Sequence, residues 1–143
     1  MDSFDRLTAA AFAFDPGVRW VAVKRPGEPP RSRYRSNVQP LSDSASDEAE
    51  ERLANPAILA LAQARGDWDL NGLRYVAIVY GKLTQVIAVL PAGGHISLSL
   101  DRGSDPTRVG DALIAALAPN AGPDHNRVAA RVIEYSAAAA GKG

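Results

Sequence analysis

Three short apolar runs set close together constrain this chain more than any other feature. Leu73–Tyr80, Leu83–Leu90 and Ile96–Leu100 are separated only by Gly81-Lys82 and Pro91-Ala-Gly-Gly94. Links that short join antiparallel neighbours, so the runs predict a three-strand meander. In the first run Val76, Ile78 and Tyr80 alternate with Tyr75, Ala77 and Val79, and both sets are apolar. The second divides into Leu83, Gln85, Ile87 and Val89 against Thr84, Val86, Ala88 and Leu90. Strands without a polar face belong to a sheet covered on both surfaces. The third run alternates Ile96, Leu98 and Leu100 with Ser97, Ser99 and Asp101, which predicts one partly solvated face.

Helical patterns flank the meander. Phe4, Leu7, Ala11 and Phe14 fall on one stripe of a helix over 3–14, stopped by Asp15-Pro-Gly. Val18–Lys24 reads as a strand with Val18, Trp20 and Ala22 on one side and Arg19, Val21 and Val23 on the other. Arg25-Pro-Gly-Glu-Pro-Pro30 lacks donors and must be a loop or extended connector. Arg31–Val38 then predicts a polar second strand, which only a sheet edge accommodates. Residues 42–54 start polar and acidic, with Ser46 placed to cap a helix. Asn55-Pro56 reads as a fresh cap opening a helix Pro56–Arg65 that Gly66 closes. Ile58, Leu59, Leu61 and Ala62 make that helix apolar nearly all round, so it should be buried on more than one side. Asp105-Pro106 caps another helix with the stripe Val109, Leu113, Ala116 and Leu117. Asp124–Ala140 predicts a last helix, running into a flexible tail.

At 143 residues and 46 % hydrophobic content the chain can bury a core of its own, with one domain over 1–120 and an appended segment over 121–143. It has no cysteine, which excludes a disulfide framework, zinc fingers and iron–sulfur ligation. Sixteen basic side chains balance sixteen acidic ones, which argues against a dedicated nucleic-acid binder. Met1-Asp-Ser-Phe-Asp5 is acidic where a signal peptide is basic, and no run spans a membrane, so a cytoplasmic protein is expected.

Residues arranged for chemistry are scarce. His95 and His125 have no partner at metal-ligand spacing and are read as solvated residues, one in a turn and one near a helix start. Ser97 beside His95 lacks a nucleophile elbow, and Asp67-Trp-Asp69 reads as exposed acids in a helix-to-strand connection. Gly93-Gly94 and Gly103-Ser-Asp-Pro106 match no phosphate-binding pattern and read as a turn and a cap. Nothing here assigns a catalytic residue, a metal ligand or a cofactor. Arg31, Arg33 and Arg35, with Tyr34 among them, form the one basic patch. It suits a solvated or internally paired edge, an acidic protein partner, or phosphates of nucleic acid or lipid.

The order helix, strand, strand, helix, three strands, helix predicts an α+β fold. Its five-stranded antiparallel sheet has the middle helix on one face and the first and last on the other. Through Leu73-Arg-Tyr-Val-Ala-Ile-Val-Tyr-Gly81, Leu83-Thr-Gln-Val-Ile-Ala-Val-Leu90, His95-Ile-Ser-Leu-Ser-Leu-Asp101 and the helix from Asp105-Pro106, the chain resembles the roadblock / dynein light chain family, of the profilin-like and longin-like class. The resemblance covers about residues 3–118, and departs from the family in the Arg25–Pro30 connector, the polar stretch 36–54 and the segment after Pro123. It implies a non-enzymatic homodimeric scaffold or regulator partnering a small Ras-like GTPase. The interface would be Ile58, Leu61, Ala62 and Arg65 on the middle helix, with either Tyr75, Ala77 and Val79 or Val76, Ile78 and Tyr80 on the strand. The alternative is a small-molecule sensor, with Trp20, Tyr75 and Tyr80 lining a pocket between sheet and helices.

Overall fold

The structure, a computed structural model, describes residues 3–118. The helix expected over Asp124–Ala140, and His125, lie outside the described residues. Helix α1 (Ser3–Phe14) leads into strands β1 (Val18–Lys24) and β2 (Arg31–Tyr34). Helices α2 (Ser44–Ala49) and α3 (Asn55–Asp69) follow, joined by a π-helical turn over Glu50–Ala54. Strands β3 (Val76–Val79), β4 (Thr84–Val89) and β5 (His95–Leu100) precede helix α4 (Pro106–Leu117). The five strands form one sheet in the order β2-β1-β5-β4-β3, antiparallel throughout. The expected α+β architecture is therefore the observed one, with β2 at the sheet edge but ending at Tyr34 rather than Val38, and the chain then turns at Asn37 with positive φ.

Register divides the sheet into two unlike faces. Val21, Val23, Val86, Ala88, Ile96, Leu98 and Leu100 form a dry layer under α1 and α4, closed by Phe4, Ala11, Val109 and Leu113. Apolar burial of this kind supplies most of the folding free energy, at roughly 25 cal/mol per Å². A register shift between Val18 and Trp20 places Val18 opposite Leu100, on the dry face. The strict alternation expected of β1 thus fails at one bulge. The bulge frees Arg19 to bond Asp101 Oδ1 at 2.8 Å and the Gln39 carbonyl at 2.7 Å. Close approach also shapes this side: a Cβ on Gly110 would lie 2.5 Å from the Tyr75 ring, so α4 needs a glycine where the aromatic side chain seats.

The other face carries Trp20, Ala22, Gln85, Ile87, His95, Ser97 and Ser99, and every residue of β5 on both faces is buried. Ser97 and Ser99, expected beside solvent, are instead roofed by the middle helix. That helix is longer than its sequence suggests. Asp43, not Ser46, is the cap, accepting a bond from the Ala45 amide, and helical backbone then runs without interruption over 44–69. Asn55 is not a cap but a buried helical residue. Pro56 has no amide proton, and its ring would collide with the carbonyl four residues back in regular α-helix. The preceding π turn, in which the Asn55 amide bonds the Glu50 carbonyl, admits it without breaking the rod. Gly66 does not close the helix either. A Cβ there would sit 2.9 Å from the Gly72 backbone, so the glycine lets the returning chain pass, and the helix runs on to Asp69. Asp67 and Asp69 are accordingly helical, and Asp69 pairs with Arg65 one turn back.

Candidate functional site

Helical periodicity sorts the residues over 51–68 into two opposed rows. Glu51, Asn55, Leu59, Ala62 and Gly66 recur every three or four positions and face the sheet; all but the half-buried Ala62 are buried. Leu53, Ala57, Leu61, Ala64 and Trp68 follow the same spacing on the opposite side and are all exposed. Leu61 is 75 % and Trp68 82 % exposed. The helix is therefore inverted: its bulkiest apolar side chains point away from the core, while its inner row has one large hydrophobe, Leu59. Among the described residues nothing covers this apolar row.

Beyond the helix lies the edge of β3, unpaired among the described residues, where Val79 is 76 % exposed. Ile58 is half-buried on the flank of the helix, Ala62 lies in the inner row, and Arg65 is exposed and paired with Asp69. Pairing of Val76 with Ile87 and Ile78 with Gln85 puts Val76 and Ile78 on the helix side of the strand. Ala77 and Val79 point to the α4 side, where Tyr75 packs over Gly110. The set Val76, Ile78 and Tyr80 thus shares a face with α3, whereas Tyr75, Ala77 and Val79 reach it only around the edge. Leu53 and Trp68 were missed by the sequence reading, although the heptad-like spacing through Leu61 signals them.

The basic patch is largely consumed within the fold. Arg33 pairs with Asp5 at 2.9 Å, and the Arg31 and Arg33 guanidinium groups lie over the Phe4 ring at 4.4 and 5.2 Å. Arg35 donates to the carbonyls of Val18, Phe12 and Asp15 and covers the Phe12 ring. It fastens the end of α1 to the first hairpin.

Beneath the helix runs a polar seam. Glu51 Oε2 meets His95 Nε2 at 2.6 Å, with the two residues 1 % and 2 % exposed. His95 is thus a core residue and not a solvated turn histidine. Gln85 Nε2 donates to Ser97 Oγ at 2.8 Å. Glu51 Oε1, both amide atoms of Asn55 and Gln85 Oε1 are buried with no hydrogen-bond partner among the described residues. Next to this seam, burial and then the neighbouring Glu51 charge hold the Glu50 carboxyl above the usual carboxylate range. Tyr80 Oη donates to Glu50 Oε1 at 3.4 Å, and burial followed by the Glu50 charge pushes that phenol up in turn.

No group of three or more His, Asp or Glu side chains suited to a metal ion gathers among the described residues. Trp20 and Tyr34 line a cavity of about 20 Å³ with Arg19, Leu41, Asp47 and Ser99. That volume holds about one water molecule. Tyr75 and Tyr80 lie elsewhere, so the three aromatics named for a ligand pocket do not converge. Among the described residues no helix is long and apolar enough to cross a membrane.

No family model matches the chain, and no curated protein does. Its fold, however, is found among solved structures. It is similar to MglB in a tetrameric arrangement, at 13 % identity and a TM-score of 0.58 over 82 % of this chain and 90 % of that one. It is also similar to the gliding protein MglB from Thermus thermophilus, at 11 % identity and a TM-score of 0.55 over 82 % of this chain and 93 % of the other. At such identity the likeness is one of fold, and the fold is roadblock-like.

Proposed function

We propose that this chain is a non-enzymatic regulatory or scaffold module that works as a homodimer and partners a small Ras-like GTPase. One observation carries the reading: the inverted helix, whose exposed row Leu53, Leu61 and Trp68 stands beside the open edge of β3. A self-complementary two-fold contact would cover both copies of that row and place the two edge strands together, removing an apolar surface and a pairing edge at once. A stable interface of this kind buries on the order of 1,200–2,000 Å² in total. The roadblock-like fold, shared with MglB, supports the regulatory role and the GTPase partner. The placement of the interface rests on this chain's own residues.

Leu61→Asp puts a charge at the centre of the exposed row without touching the inner one. The expected outcome is a folded monomer, with circular dichroism unchanged and the dimer dissociation constant raised at least tenfold, about 1.4 kcal/mol or more. A Leu61→Asp chain that dimerises as tightly as its parent would remove the helix from the interface. Regulation is read by adding the dimer to a panel of small GTPases and following nucleotide hydrolysis. The chain alone should hydrolyse none.

A further inference from the structure

The inner side of the 44–69 helix is built unlike the opposite packing surface. Helices α1 and α4 rest on Val21, Val86 and Leu98, apolar side chains that tolerate small slides. The middle helix instead sets Glu51 and Asn55 against a sheet face that offers Gln85, His95 and Ser97. A sealed pair of polar side chains seldom stabilises a fold more than apolar residues of the same volume would, because desolvation offsets the attraction. Partnerless Asn55 and Gln85 atoms cost more again. What such a pair supplies is direction. Contact at 2.6 Å between Glu51 Oε2 and His95 Nε2 is met by one roll and one height of the helix, and by few others.

The pair also sits at the turn that sets the roll. Glu51 lies within the π turn that Pro56 requires, and a slip of that turn by one residue would rotate the row that follows it by about 100°. Downstream lie Leu61 and Trp68. We propose that the Glu51–His95 contact keys the phase of the π turn, and so fixes where the outer row of α3 stands relative to the β3 edge. Both are positioning residues, buried beneath the helix on the side away from its outer row. This inference rests on the association surface proposed above.

The test replaces both partners with apolar residues of similar volume, E51L/H95L, so that no lone charge is left buried. Stability is read as the denaturant midpoint at a dilution where parent and variant are monomeric, and association by sedimentation. The expected result is a midpoint equal to or above the parent's with a dimer dissociation constant raised at least tenfold. A double variant that dimerises like the parent would overturn the inference, since the pair would then only fill space. A midpoint below the parent's would overturn it too, because weaker association would follow from a damaged fold. E51M/H95M, with more adaptable side chains, stands in should E51L/H95L not fold. Failure of both to fold would show the pair to be required for the fold itself, against the proposal. A parent that is monomeric throughout sinks the dimer reading alone. The inference is then read from amide exchange over 55–69, expected to quicken in the double variant with the rest unchanged; equal protection there would refute it.

Discussion

Glu50 and Glu51 are neighbours in the sequence with different surroundings. Glu51 is sealed against His95, whereas Glu50 lies half-buried beside Tyr80 and within reach of the Glu51 charge. Burial first, and Glu51 second, raise the Glu50 carboxyl above its ordinary value of 4.5. A raised carboxyl binds its proton more tightly in the folded state than in the unfolded one. Its cost is therefore fully present above the raised value and fades as pH falls through it toward the ordinary value. Glu50→Gln should accordingly stabilise the fold at pH 7 by no more than about 0.5 kcal/mol, given solvent screening at a half-exposed site. The gain should close as pH is lowered toward about 4, where unfolded Glu50 also takes up its proton. Urea midpoints at the two pH values check this, and a gain that grows on acidification would contradict it. Gly110→Ala is a steric counterpart: the new Cβ meets the Tyr75 ring at 2.5 Å, and displacing the ring should cost about 1–3 kcal/mol. Thermal denaturation measures it. Little of this was legible in the sequence. A histidine after two glycines carries no sign of burial, because the residue that buries it, Glu51, lies far away in sequence on another element.

Elements were more legible than residues, and their failures have physical causes. The meander, the start of α4 at Asp105-Pro106 and the edge character of β2 all follow from period, turn residues and charge. The middle helix was divided at Asn55-Pro56 because proline after asparagine is a common start, and nothing local signals a π turn able to carry it. Gly66 predicts a helix stop from sequence alone, because the close pass of Gly72 depends on tertiary structure. The apolar girth of α3 predicts burial on more than one side; in the single chain the sheet covers one side and Leu53, Leu61 and Trp68 are exposed on the other. Arg35 shows an element held by one side chain, its guanidinium bridging the Val18, Phe12 and Asp15 carbonyls. Arg35→Ala should cost about 1–3 kcal/mol by leaving these groups without their donor. Arg35→Lys should recover only part of this, since an ammonium lacks the planar fork. Chemical denaturation of the two variants distinguishes this from a solvated arginine, for which both would be silent.

At the scale of the whole molecule, one face of the sheet is closed by a dry core and the other by a helix whose larger apolar row faces out. On the proposed reading a second copy covers that row and the β3 edge, which is open among the described residues. Fold class and helix placement were readable from the order of elements. The strand face was not, because parity relative to α3 depends on the register of β3 against β4. Val79→Asp adds charge at the edge without entering the core and should weaken association at least tenfold with an unchanged melting profile at low concentration. The most direct measurement is the mass in solution by light scattering across a wide dilution series of the full chain. The account predicts twice the 15.1 kDa chain mass, persisting to micromolar concentrations and below. A monomer at every concentration would contradict it.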